Sequence, residues 1–199
     1  MISAILLAAG ESSRMGKLKQ LLPFGSKTVI ETCLDNLLNS ALSEIIVVLG
    51  HCHEQIHPKI SRLPVTIAIN PDYKEGMSSS IKAGLKYVNP QSEAVLIALV
   101  DQPLVGPDVI NSLIESYQSA GKKIIIPTYQ SRNGHPVIID LCYRDEMLNL
   151  DPAIGLRQVV RAHSDEILRI EISSDCIVQD MDYWEDYLEQ LRAQSRLSR

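Results

Sequence analysis

The chain has 199 residues, 45% of them hydrophobic and 22% charged, a composition that fits one soluble globular domain able to bury its own core. Nineteen basic against 24 acidic residues give a formal net charge of −5, which excludes the broad basic surface that nucleic acid or an anionic membrane requires. The expected partners are small molecules, and an anionic one would need a local cluster of cations.

The first predicted element is the apolar run of residues 2–8, a strand buried on both faces and closed by Ala9-Gly10. No basic segment precedes it, and it is too short for a signal peptide or a membrane span, so the expected location is the cytoplasm. A polar loop from Glu11 to Lys19 follows. Val29, Ile30, Cys33, Leu34, Leu37 and Leu38 then form one stripe of a helix. Ile45–Leu49, Val65–Ile69 and Ala94–Val100 read as further strands, with a helix around residues 78–87 between the last two. Gly106-Pro107-Asp108 opens a helix whose inner face is Val109, Ile110, Leu113, Ile114 and Tyr117. Lys123–Ile126 and Pro136–Ile139 are strands in a less regular order, which suggests an antiparallel edge. The last helix carries Trp184, Tyr187, Leu188 and Leu191 at core-contact spacing, and residues 193–199 read as a frayed polar tail. Strands alternating with helices predict a single-domain three-layer α/β/α fold of Rossmann-like type, with a mostly parallel sheet. The four cysteines are far apart, with no C-x-x-C pair, and read as reduced thiols.

Chemistry concentrates where the first strand ends. In the turn Leu7-Ala8-Ala9-Gly10, the small residues 8–10 let backbone N–H groups approach a phosphate or a base, and Arg14, Lys17 and Lys19 follow within a few positions. Arg forks onto phosphate oxygens, and Lys acts as a mobile point charge. A plain glycine turn with solvated cations is the competing interpretation. The Walker A pattern fails, because five residues separate Gly10 from Gly16 and Leu18 stands where a hydroxyl is needed. The dinucleotide fingerprint fails as well, lacking its middle glycine. A second feature is the acid Asp101, which ends the strand 94–100 abruptly and, on local grounds, can equally face the crevice of the first loop or cap the next turn. Asn70, Gly76, Ser78, Ser79 and Ser80 lie at a strand end and helix start, where hydroxyls and free N–H groups suit a base or ribose. N-capping is the plainer role for one of those serines.

The run L-A-A-G-x-S-S-R-M-G-x-x-K resembles the signature of the MobA-like nucleotidyltransferases, in their molybdenum cofactor cytidylyltransferase branch. Gly76–Leu85, Asp101-Gln102-Pro103 and Gly134-His135-Pro136-Val137 follow in the same order. Gln179–Asp186 is similar to the family's D-I-D-T-P-E-D, with Tyr183-Trp184 replacing Thr-Pro. The resemblance runs from residue 3 to about 188. It implies that Asp101 holds Mg²⁺, with Asp182 (beside Asp180) as a second metal contact, although Asp182 also suits a helix cap. It implies Arg14 and Lys19 as catalytic cations, CTP as donor, and a molybdopterin-type acceptor near Gln102, Gly134, His135 and Pro136. Transient docking to a molybdoenzyme is a further implied partnership. A phosphate monoester is already a dianion near neutral pH, with a second pKa of roughly 6, so it would attack the α-phosphorus without a general base. Charge neutralisation and in-line placement would supply the rate. Competing readings are GTP or another phosphorylated acceptor on the same fold, an oxidoreductase or purine-catabolism accessory role, and a non-catalytic carrier of the molybdenum cofactor. His51, His53 and His57 resemble a metal cluster only superficially, since they lack an acidic shell beyond Glu54.

Overall fold

A computed structural model describes residues 1–197 of the chain. The first strand, β1 (Ile2–Ala8), is buried along its whole length, and its side chains alternate between two cores. Ala4, Leu6 and Ala8 enter one of them, and Ile5 and Leu7 the other. A residue-by-residue alternation of apolar side chains with no polar face forces helices onto both sides of the sheet. A small hairpin, β2 (Pro23–Phe24) and β3 (Lys27–Thr28), follows the polar loop. Helix α1 (Val29–Leu38) starts on a reciprocal cap: Thr28 Oγ1 accepts from the Glu31 amide, and the Glu31 carboxylate accepts from the Thr28 amide. Its stripe of Val29, Ile30, Cys33, Leu34 and Leu37 is buried, as the spacing requires.

Strand β4 (Glu44–Leu49), helix α2 (His53–Ile60) and strand β5 (Thr66–Ile69) build outward to one edge. Helix α3 (Met77–Leu85) then carries the chain back across β1 to β6 (Ala94–Leu99). Helix α4 (Pro107–Ala120), strand β7 (Ile124–Tyr129), short β8 (Arg132–Asn133) and β9 (Val137–Asp140) follow. Helices α5 (Arg144–Leu148) and α6 (Arg157–Ala162), strand β10 (Ile167–Glu171) and helix α7 (Trp184–Leu197) complete the described chain. The main sheet runs β10-β7-β9-β6-β1-β4-β5, with β8 paired to β7. It is the mostly parallel, mixed sheet of a Rossmann-like α/β fold. One face packs α1, α2 and α4 with the residues leading into α7; the other packs α3, α5 and α6.

Three details depart from the sequence reading. The antiparallel strand β9 lies inside the sheet, hydrogen-bonded to β6 and β7, instead of forming its edge. Helix α7 continues through residues 193–197, where a frayed tail was expected, while residues 198 and 199 lie outside the described chain. Trp184 and Leu188 are 38% and 36% exposed, so they are not core residues; Tyr187 is buried. Among the described residues no helix is long and apolar enough to cross a membrane.

Candidate active site

The strand order reverses beside β1: β4 and β5 lie to one side, and β6 returns on the other. Ligand crevices of open α/β sheets form at such reversals, beyond the carboxyl ends of the strands. The register pairs Leu7 with Leu99, so the turn after β1 and Asp101, two residues beyond Leu99, leave the sheet together. The result is a cleft of about 240 Å³, lined by Leu7, Ala9, Gly10, Lys19, Gly76, Ser80 and Asp101 among the expected residues. Gln20, Tyr73, Met77, Leu99 and Val100 also line it.

At its charged end, Lys19 Nζ donates to Asp101 Oδ2 at 3.0 Å and lies 3.5 Å from Asp182 Oδ1. Arg14 Nη1 donates to Asp182 Oδ2 at 2.6 Å. Two cations from the first loop and two carboxylates far along the sequence thus meet at one point. Asp182 faces this point with its carboxylate, and the helix-capping role falls to Asp186, whose carboxylate accepts from the Asp182 and Tyr183 amides at 3.0 and 2.7 Å. Lys19 is buried although its loop is exposed, so its charge is directed inward. Burial raises the Asp101 carboxyl above the usual carboxylate range, and the Lys19 ammonium opposes that shift.

Gln20 is fully buried, and its Nε2 donates to the carbonyls of Ala8 and Gly10, each at 3.0 Å. This clamp fixes the turn around Ala9. Nothing in the local pattern marked Gln20, because its role depends on where the chain returns after the loop. Tyr73 is the other residue with a visible structural reason. An added Cβ on Gly50 would come within 2.7 Å of Tyr73 Cβ and 2.9 Å of Ala9 Cβ, so a glycine after β4 is what lets Tyr73 approach the cleft wall.

Several expected nucleotide residues sit differently. Asn70 is buried, and its Nδ2 donates to the hydroxyls of Ser79 and Ser80 at 2.8 and 3.0 Å. Its Oδ1 accepts from the Asp72 amide. Ser79 Oγ has the carbonyls of Gly76 and Asp72 at 2.8 and 2.9 Å and donates its one hydrogen to either. These groups pin the start of α3, and their hydrogen bonds are made within the protein. Ser78 is buried on the opposite flank, facing Gly155, with an Oγ that has no partner. Ala8 turns its methyl into the far core, and its carbonyl contributes only through Gln20.

Of the residues expected on the acceptor side, Gln102, Gly134 and His135 gather around the Ile177 carbonyl. Gln102 Nε2 donates to Asp180 Oδ1 at 2.9 Å and to the Ile177 carbonyl at 3.2 Å. The His135 amide donates to that same carbonyl at 2.9 Å. A Cβ added to Gly134 would lie 2.3 Å from it, so only glycine permits this approach. Burial lowers the His135 pKa, and the charges of Asp180 and Asp101 pull it upward. Pro136 and Gln102 also border a small internal cavity of about 20 Å³. His51 Nδ1 lies 3.3 Å from the Tyr73 hydroxyl, and His53 Nδ1 lies 3.2 Å from the Gly50 carbonyl. Those histidines brace the turn after β4.

Known proteins share this architecture along nearly the whole chain. Molybdenum cofactor cytidylyltransferase of Escherichia coli is 29% identical over 188 residues, covering 94% of each chain. Nicotine blue oxidoreductase of Paenarthrobacter nicotinovorans is 28% identical over 190 residues, 91% of this chain and 92% of its own. A nucleotidyl transferase from Methanothermobacter superposes with a TM-score of 0.87 at 25% identity over 99% of both chains. The fold also matches a Mycobacterium tuberculosis protein solved in complex with manganese, with a TM-score of 0.82 at 24% identity, covering 96% of this chain and 98% of that one. The family model for the MobA-like NTP transferase domain matches residues 4–167, and the chain belongs to that family.

Proposed function

We propose that the chain transfers CMP from CTP to the terminal phosphate of a molybdopterin-type acceptor, releasing pyrophosphate, with Mg²⁺ as the bound cation. The observation that carries this reading is Lys19 Nζ held between the carboxylates of Asp101 and Asp182 at the mouth of the cleft. An ammonium occupies a point where two hard oxygen donors converge, which fits a divalent cation. Among the described residues no group of three or more His, Cys, Asp or Glu could hold a metal alone. Two protein carboxylates with the remainder from phosphate and water is the coordination Mg²⁺ favours. Asp101 and Asp182 would hold it, and the cation would supply charge neutralisation at the phosphates.

The protein groups do the positioning. Gln20 sets the Ala9-Gly10 backbone against the nucleotide, and Arg14 and Lys19 match the negative charge of the triphosphate. The acceptor phosphate arrives as a dianion, so no residue need remove a proton. His135, whose pKa burial lowers, and the Gln102–Asp180 pair offer hydrogen bonds to the acceptor side. The L-A-A-G run, which resembles that of the cytidylyltransferase branch, and the Escherichia coli relative support CTP as donor. Delivery of the product to a molybdoenzyme by transient docking belongs to the same reading.

Pyrophosphate release tested with each of the four nucleoside triphosphates, with and without molybdopterin, checks the proposal. It predicts release with CTP and acceptor together. Equal release with all four, or none, contradicts it. The similarity to nicotine blue oxidoreductase favours a second reading, an oxidoreductase. The loop after β1 lacks the G-x-G-x-x-G of a dinucleotide site, and nicotinamide absorbance would register turnover of that kind.

A further inference from the structure

Residues 11–18 carry Arg14 and Lys17 on a backbone with few bonds of its own. The Met15 amide donates to the Ser12 carbonyl at 3.0 Å, and the Lys19 amide to Ser12 Oγ at 3.2 Å. Ser12 and Gly16 are both in the left-handed region, with φ of 54° and 64°. The start of α7 covers this loop. The Arg14 guanidinium carbon lies 5.8 Å from the centre of the Tyr183 ring, and Lys17 Nζ lies 5.1 Å from the centre of the Trp184 ring. Trp184 is braced in turn. Its ring centre is 4.9 Å from that of buried Tyr187, whose hydroxyl donates to the Pro23 carbonyl at 2.7 Å. The first turn of α7 therefore grips the chain on both sides of Lys19. Tyr183 and Trp184 remain 53% and 38% exposed, so core burial does not account for their size.

We propose that Tyr183 and Trp184 are positioning residues that hold the cationic loop in place for the triphosphate, an inference that rests on the nucleotidyl-transfer reading above. The choice of aromatic partners has a physical reason. A carboxylate would hold a cation by neutralising it, whereas the face of a ring attracts the cation and leaves its net charge available to phosphate. Lys17 on Trp184 is held in this way. Arg14 combines the Tyr183 ring with Asp182, one of the two carboxylates that would turn to a metal.

Two measurements on the same variants test the idea: hydrogen exchange of residues 11–18 in the free protein, and calorimetric titration with Mg²⁺ and CTP. Trp184→Ala is expected to speed exchange across the loop and weaken CTP binding about two- to fivefold. Trp184→Phe should restore most of both. In a Lys17→Ala background the Trp184→Ala effect should largely vanish, because the two side chains act as a pair. Tyr183→Ala should act the same way through Arg14, with Tyr183→Phe neutral. Unchanged exchange in both alanine variants overturns the proposal. So does a Trp184→Ala loss that persists undiminished without Lys17, or a Phe variant as impaired as the Ala variant. If wild type binds no triphosphate while exchange responds as expected, the loop-holding role stands and the nucleotide reading falls.

Discussion

Asp101 and Lys19 are 82 positions apart in sequence and 3.0 Å apart in space. Asp101→Asn should retain nucleotide binding but lose pyrophosphate release by about 10²-fold or more, the usual scale for removing a group that stabilises developing charge. Single-turnover and binding measurements separate the two effects. Lys19→Ala should lower both the rate and the thermal midpoint. An exposed loop suggests a change without structural cost, but Lys19 is buried, and its removal strands the Asp101 carboxylate. The pH dependence has a definite sign. Burial raises the Asp101 pKa, so its proton is lost at higher pH than the roughly 3.9 of a free aspartate. Mg²⁺ binding at Asp101 must displace that proton, so metal affinity should fall on acidification, and Asp101→Asn should abolish that dependence. For stability the sign is opposite: the folded state holds this proton more tightly, a contribution present at low pH and lost as pH rises through the folded pKa. Lys19, Arg14 and Asp101 were legible as candidates through the family resemblance, and the fold brings their charges together. Gln20 was not. A neutral side chain clamping two carbonyls leaves no mark in a local pattern.

At the scale of elements, the strands of the parallel core were legible as apolar runs closed by Gly10, Gly50 and Asp101. The placement of β9 was not. Periodicity reports which side chains are buried and carries no information on which neighbour a strand pairs with or in which direction. The serines of α3 were harder to assign for a related reason: N-terminal hydroxyls suit ligands and local bonds equally well, and here Asn70 donates to Ser79 and Ser80 while Ser80 also lines the cleft. Asn70→Ala should accordingly cost about 1–3 kcal/mol of stability from the lost buried hydrogen bonds. A denaturation curve checks this, and nucleotide affinity should suffer only through the displaced start of α3. Gly134→Ala should perturb the acceptor side, since its methyl would meet the Ile177 carbonyl. The expected outcome is a raised KM for the acceptor with the KM for CTP little changed. Equal loss on both substrates would argue for general misfolding.

Across the whole molecule, the sheet reverses direction of growth at β1, so the first loop, the β6 terminus and the segment before α7 come together from distant parts of the chain. No single motif contains this site. The buried sheet supplies the rigidity, and the loops supply the charge. A crystal soaked with CTP and Mn²⁺, examined by anomalous scattering, tests the convergence most directly. The account predicts a metal peak between Asp101 and Asp182, with the triphosphate passing Arg14 and Lys19. A peak elsewhere, or a triphosphate bound away from those two cations, would contradict it.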